Sequence, residues 1–112
     1  MATVQSPVSD MLVTTKTREI QRGMLAEMAG DLVRAARHFL AAAHMELVLV
    51  NDYVQAGQDD LAFRSHMSAA SCFWRAGQVD HARAVFEALI RDYPMQADAI
   101  QKAMEELAGR AA

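Results

Sequence analysis

The stretch His66–Pro94, HMSAASCFWRAGQVDHARAVFEALIRDYP, decides the fold of this chain because it holds two helical patterns joined by a sharp corner. The corner is predicted at Ala76-Gly77-Gln78, where a glycine can take the left-handed conformation that ends a helix. Apolar residues then recur every three or four positions from Val79 to Tyr93, which is the period of a helix. Pro94 ends that helix because it has no backbone donor and restricts the residue before it. The stretch therefore predicts a helical hairpin.

The same pattern occurs once more, earlier in the chain. Gly30-Asp31 is followed by Ala35-x3-Phe39, just as Gly77-Gln78 is followed by Ala82-x3-Phe86. Two corners of one type, each followed by the same small and large apolar pair, indicate an internal repeat. A third helix stop is predicted at Gly57, before two acidic residues that suit a helix start. Five helices are predicted, at about Thr15–Ala29, Leu32–Ala56, Asp60–Ala76, Val79–Asp92 and from Ala97 onward.

The spacing resembles that of the tetratricopeptide repeat, whose pattern is Trp-x2-Leu-Gly-x2-Tyr, then Ala-x3-Phe, then Pro. This chain reads His66-x2-Ala69-Ala70-x2-Phe73, then Ala82-x3-Phe86, then Pro94. The second half matches in residue type, and the first half matches in size and register. The resemblance implies an all-α, antiparallel helix-hairpin array of about two repeats, closed by a C-terminal capping helix.

The corners at Gly30 and Gly77 are farther apart than the period of that family, which also suits HEAT-type helical repeats as an alternative. We assign the excess to an overlong second helix, whose inward apolar stripe is predicted to run from Leu32 to Val54. Its last turns need cover from the N-terminal residues or from a second subunit. Residues 1–13 are interpreted as a flexible N-terminal arm, and residues 14–110 as the tetratricopeptide-like helical domain.

Composition narrows the function classes. The net charge of −3 and the absence of a basic cluster argue against a nucleic-acid partner. No stretch approaches the roughly 20 apolar residues of a membrane-spanning helix, so no membrane insertion is expected. The single cysteine, Cys72, cannot form an internal disulfide, which favours a reducing, cytoplasmic location.

The sequence offers no pattern typical of an enzyme. The spacing of His38, His44 and His66 does not match the common metal-binding motifs, and Cys72 is interpreted as a buried apolar residue rather than a nucleophile. No phosphate-binding loop and no nucleophile elbow are present. We therefore predict no catalytic, cofactor-binding or metal-binding residues, and expect a protein that is not an enzyme.

In the tetratricopeptide family, one stripe of each first helix lines a concave groove that holds a peptide or helix of a partner protein. Carried onto this chain, the stripe predicts a set of partner-binding residues on the third and first helices: Arg64, Met67, Ser71, Trp74, Arg75, Ile20, Met24, Glu27 and Met28. Tryptophan and arginine often dominate binding energy, and methionine adapts to varied shapes. Trp74 could equally belong to the core, and both interpretations stay open here.

The prediction is thus a non-enzymatic adaptor that binds another protein. A small helical chaperone, possibly a homodimer through the long helix, is the first alternative. A helical bundle that binds a metal or cofactor through His38, His44 or His66 is the second.

Overall fold

The computed structural model describes residues 7–111, and the first part of the predicted arm, residues 1–6, lies outside the described residues. The described chain is all-α, with no β-strand between Pro7 and Ala111. Each helix packs against the next one along the chain, as in a series of hairpins. The elements are α1 (Pro7–Met28), α2 (Leu32–Gln55), α3 (Asp59–Arg75), α4 (Val79–Asp92), a short 3-10 turn (Pro94–Gln96) and α5 (Ala97–Ala111). The prediction of five helices is confirmed.

Three corners join the first four helices, and all three have the same geometry. Gly30, Gly57 and Gly77 have φ angles of +77°, +72° and +85°, a region that a residue with a Cβ atom rarely enters. The residue after each glycine donates its amide, at 2.9 Å, to a carbonyl five residues earlier: Asp31 to Ala26, Gln58 to Tyr53 and Gln78 to Phe73. This is the Schellman arrangement, which satisfies carbonyls that the ending helix leaves free. The sequence predicted each of these corners.

The N-terminal end differs from its prediction. α1 begins at Pro7 and not near Thr15, so the interpretation of residues 7–13 as a flexible arm is wrong. Leu12 and Val13 pack against a small buried cluster of Leu49, Tyr53 and Ala62, and these contacts order the first turns. The cover that the long second helix required is therefore supplied by the same chain, in helical form.

α2 is the longest helix, with 24 residues, and it packs against both α1 and α3. Its buried residues are Ala35, Phe39, Ala42, Ala43, Glu46, Leu49 and Tyr53. The predicted apolar stripe extended from Leu32 to Val54, but these two end residues are 70% and 54% exposed. A single stripe therefore does not describe the buried face of α2. A helix that packs against two neighbours has a buried face that is wider than one stripe.

The main core extends through all five helices. The side chains of Phe39, Phe73 and Phe86 are fully buried in it, and small residues let the helices approach closely. α5 closes the C-terminal end of the molecule with Ile100, Met104 and Leu107, as predicted for a capping helix. Its predicted polar face is exposed at Asp98, Gln101, Lys102, Glu105 and Glu106.

Candidate functional site

Trp74, the predicted centre of the partner-binding groove, belongs to the core. It is only 7% exposed, its ring lies 6.5 Å from that of Phe86, and the guanidinium of Arg83 lies 5.0 Å from its ring centre. The groove interpretation of Trp74 is therefore wrong. The indole Nε1 has no hydrogen-bond partner among the described residues. The sequence did not separate the two interpretations because the period of a helix shows its stripes but not which stripe a neighbour will cover.

The other predicted residues of α3 are largely occupied within the chain. Met67 is half-buried against the main core, and Ser71 is half-buried as well. Arg75 donates from Nε and Nη2 to both carboxylate oxygens of Glu27, at 3.4 and 2.5 Å, and its guanidinium lies 4.3 Å from the ring centre of Phe39. Arg64 alone of this group is exposed.

The predicted residues of α1 divide into two groups. Ile20 is half-buried against the core, and Glu27 forms the ion pair with Arg75 that links α1 to α3. Met24 and Met28 are exposed, by 45% and 83%. The structure thus uses Glu27 and Arg75 to hold two helices together and leaves the two methionines available at the surface.

Met24 and Met28 are part of a larger apolar surface around the corner between α1 and α2. Leu25, Leu32 and Val33 are 64%, 70% and 68% exposed, and they lie within the same ten positions of the chain as the two methionines. We call these five residues the corner patch. Sequence reasoning missed Leu25, Leu32 and Val33 because it assigned Leu32 to the inward stripe. The available signal was the number of large apolar residues next to Gly30, which exceeds what two helix ends can bury.

Beside the corner patch runs a groove of about 570 Å³ between α1 and α2, which we call the corner groove. It is lined by three apolar residues, two arginines, a histidine and an aspartate: Leu25, Ala26, Ala29, Arg22, Arg34, His38 and Asp31. Arg22 lies 3.2 Å from Glu19, whose side chain is only 15% exposed, and Arg34 lies 3.9 Å from Asp31, with both side chains exposed. The exposed pair contributes little to stability, so the guanidinium of Arg34 can turn to another carboxylate.

A second, smaller cleft of about 180 Å³ lies where α1, α2 and α3 meet. There Lys16 Nζ lies 3.2 Å from Oε2 of Glu46, a glutamate whose side chain is fully buried. Oε1 of Glu46 has no partner among the described residues. A carboxylate without its full set of hydrogen bonds is costly in the interior of a protein. We therefore expect this ion pair to add little to stability and to be kept in place by the surrounding contacts.

Cys72 is buried in the main core, as predicted. Burial, together with the negative charge of Glu46, raises the pKa of its thiol to about 11, against a partly offsetting hydrogen bond from Ser68. A thiol of that pKa is protonated at neutral pH and is a poor nucleophile.

The histidines make separate local contacts. His38 Nδ1 lies 2.6 Å from Oε2 of Glu19. His44 contacts the ring of Phe73 edge-on, with ring centres 5.4 Å apart, and His81 stacks on the same ring at 3.9 Å. Burial lowers the pKa of His66, and the charge of Asp92 partly opposes that shift. Within residues 7–111, no three His, Cys, Asp or Glu side chains are grouped as a metal ion would require.

None of the helices in the described part of the chain combines the length and the apolar character needed to cross a membrane. No protein-family model, curated protein or solved structure matches this chain.

Proposed function

We propose that this protein is a non-enzymatic interaction module that binds a helix or an extended segment of another protein at the corner between α1 and α2. One observation carries the proposal: the five residues of the corner patch are each 45–83% exposed although all are large and apolar. Several large apolar side chains exposed near one helix corner are typical of a docking surface, because burying apolar area against a partner is favourable in water.

The corner patch cannot be buried by a closer approach of α1 to α2. A Cβ atom at Gly23 of α1 would lie 2.9 Å from two ring atoms of Phe39, so the helices already touch at this position. Gly23 and Ala26 fill the inner side of the last turns of α1, and Met24, Leu25 and Met28 are left outside. Only another molecule can cover these side chains, and methionine suits such a surface because it adapts to its partner.

We also propose that the fold is related to the tetratricopeptide repeat. Three identical corners, and the Ala-x3-Phe pair that follows two of them, support a divergent tetratricopeptide-like array. The proposal differs from the usual use of that fold in its site. The stripe of α3 is occupied by internal contacts, so we assign docking to the outer end of the first hairpin. The buried, unpaired thiol of Cys72 supports a reducing, cytoplasmic setting.

The alternative function, a dimeric chaperone, would also use a different surface from the one that the sequence predicted. Leu12 and Val13 already cover the last turns of α2, so a second copy is not needed there. A homodimer would instead pair two corner patches. Size-exclusion chromatography with light scattering separates the two functions, since a dimer that Met28→Ser dissociates favours the chaperone.

Site-specific photo-crosslinking in the native cell tests the proposal. A photoreactive residue at Met28 should give crosslinks to a discrete partner, and Leu25→Ser should abolish them while the helical content is kept. Met95 is the matched control because it is 95% exposed but lies on the connection between α4 and α5. Equal crosslinking from positions 28 and 95 would show that exposure alone, and not the corner patch, captures neighbours.

A further inference from the structure

We infer that the partner segment is an acidic amphipathic helix, with its apolar side on the corner patch and its carboxylates against Arg22 and Arg34. This inference rests on the proposed function and specifies the chemistry of the partner. It follows from the charge around the corner groove, from the shape of that groove and from the secondary structure of the surface next to it.

The charge around the corner groove is opposite to that of the chain as a whole. Arg18 and Arg22 lie one turn apart on α1, and Arg34 and Arg37 lie one turn apart on α2; all four are exposed. Only Arg22 and Arg34 line the corner groove. Besides Glu27, which is paired with Arg75, the span from residue 18 to residue 37 carries two carboxylates, Glu19 and Asp31, in a chain whose net charge is −3. The corner groove is therefore a basic site on an acidic protein, and it selects for an anionic partner by charge.

The two carboxylates are already engaged. Glu19 accepts from Arg22 and lies 2.6 Å from Nδ1 of His38, and Asp31 caps α2 by accepting the amide of Arg34 at 3.1 Å. Arg18 and Arg37 make no ion pair within the described residues. Arginines thus outnumber the available carboxylates near the corner groove, which favours a partner segment that carries carboxylates.

The shape of the surface favours a helix. The corner groove lies between two consecutive helices of a hairpin, and its apolar lining residues are Leu25, Ala26 and Ala29. An amphipathic helix presents apolar side chains every three or four residues, which suits such a groove, and it can carry acidic residues on both flanks. A partner strand would need a sheet edge to pair with, and residues 7–111 contain no strand.

Selection from a display library of helical peptides, with every polar position left unbiased, tests the inference on the full-length protein. We expect the selected peptides to have apolar residues at helical spacing and an excess of Asp and Glu beside them. Arg22→Glu combined with Arg34→Glu should weaken binding of a selected peptide about tenfold, as expected for two exposed ion pairs, and should shift selection toward Lys and Arg.

Arg91→Glu combined with Arg110→Glu is the control, because it makes the same change in charge at two exposed positions on α4 and α5. The inference is overturned if the selected peptides bind through Leu25 and Met28 but show no preference for acidic residues, or if the control weakens binding equally. The proposed function itself fails if no selected peptide depends on Leu25 and Met28. The two failures are thus distinguishable.

Discussion

The hairpin α1–α2 and the hairpin α3–α4 have the same corner but opposite interfaces. Between α3 and α4 lie the fully buried side chains of Phe73, Phe86 and Leu89, and exposed residues of α4 contact α3, His81 at Phe73 and Arg83 at Trp74. Between α1 and α2 the contacts include a series of polar pairs, Ser9 with Asp52 at 2.7 Å, Lys16 with Glu46 at 3.2 Å and Glu19 with His38 at 2.6 Å. Large apolar residues of α1, such as Met11, Leu25 and Met28, face solvent instead.

This difference teaches that the corner sets the direction of a helix pair but not the chemistry of its interface. A glycine at positive φ and a local hydrogen-bond pattern suffice to form the hairpin. Which residues then face inward depends on the partners that each helix meets. In the first hairpin, buried apolar residues such as Ala26 and Phe39 share the interface with polar pairs, while Leu25 and Met28 remain exposed. The following predictions test this contrast, starting with the largest expected effect.

Phe86→Ala should destabilise the protein by about 3–5 kcal/mol, because it leaves a cavity in the apolar interface of α3 and α4. Ile20→Ala, at a half-buried position of α1, should cost about 1 kcal/mol. Urea unfolding of both variants measures the difference. Equal losses would contradict the claim that the second hairpin carries most of the apolar stabilisation.

Lys16→Met should cost about 3 kcal/mol, since it leaves the fully buried Glu46 without its cation. Replacing both partners, Lys16→Met with Glu46→Met, should restore most of that loss, because no charge is then buried alone. The free energies of unfolding of the two variants, each compared with that of the wild type, test this prediction. A double variant as unstable as Lys16→Met would show that the ion pair itself stabilises the first hairpin.

Gly23→Ala should destabilise the protein by about 1 kcal/mol. The added methyl group clashes with Phe39, and the free-energy cost of this clash exceeds the gain in helix propensity from glycine to alanine. Gly109→Ala is the matched control on α5, where the same Cβ atom meets nothing within 4 Å. There the substitution should raise the melting temperature slightly. Changes of the same sign at both positions would argue against a close contact between α1 and α2.

The smallest expected effect is on pH dependence, and it concerns the second hairpin. Burial lowers the pKa of His66 below its ordinary value of 6.5, so the unfolded chain binds a proton more readily than the folded one. Stability should therefore fall as the pH drops below about 6.5. His66→Gln should reduce this slope, as measured by melting temperature between pH 7.5 and 5.5. An unchanged slope would exclude His66 as its source.

The sequence predicted the parts of the fold that local interactions decide. Gly30, Gly57 and Gly77 end their helices through their own backbone geometry, and the predicted range of α4 agrees with the structure at both ends. The start of α1 was missed because its first turns show no apolar period. Those turns are ordered by contacts with α2, such as that of Ser9 with Asp52, which lies 43 positions away in the chain.

The candidate site was predicted less well, for a related reason. Met24 and Met28 were identified as partner-binding residues, but Trp74 was only one side of an open alternative and Leu25 was not proposed at all. A stripe on a helix shows what a neighbour could cover, whereas the packing of all five helices decides what is covered. Trp74 faces Phe86 and Leu25 faces solvent because α3 lies between two helices and the last turn of α1 does not.

Native-state hydrogen exchange, resolved by residue, tests the contrast between the two hairpins most directly. We predict that the amides of α1 exchange through an opening of lower free energy than those of α3 and α4, and that added salt widens the gap by weakening the polar pairs. Protection of α1 equal to that of α4, and unaffected by salt, would contradict the account.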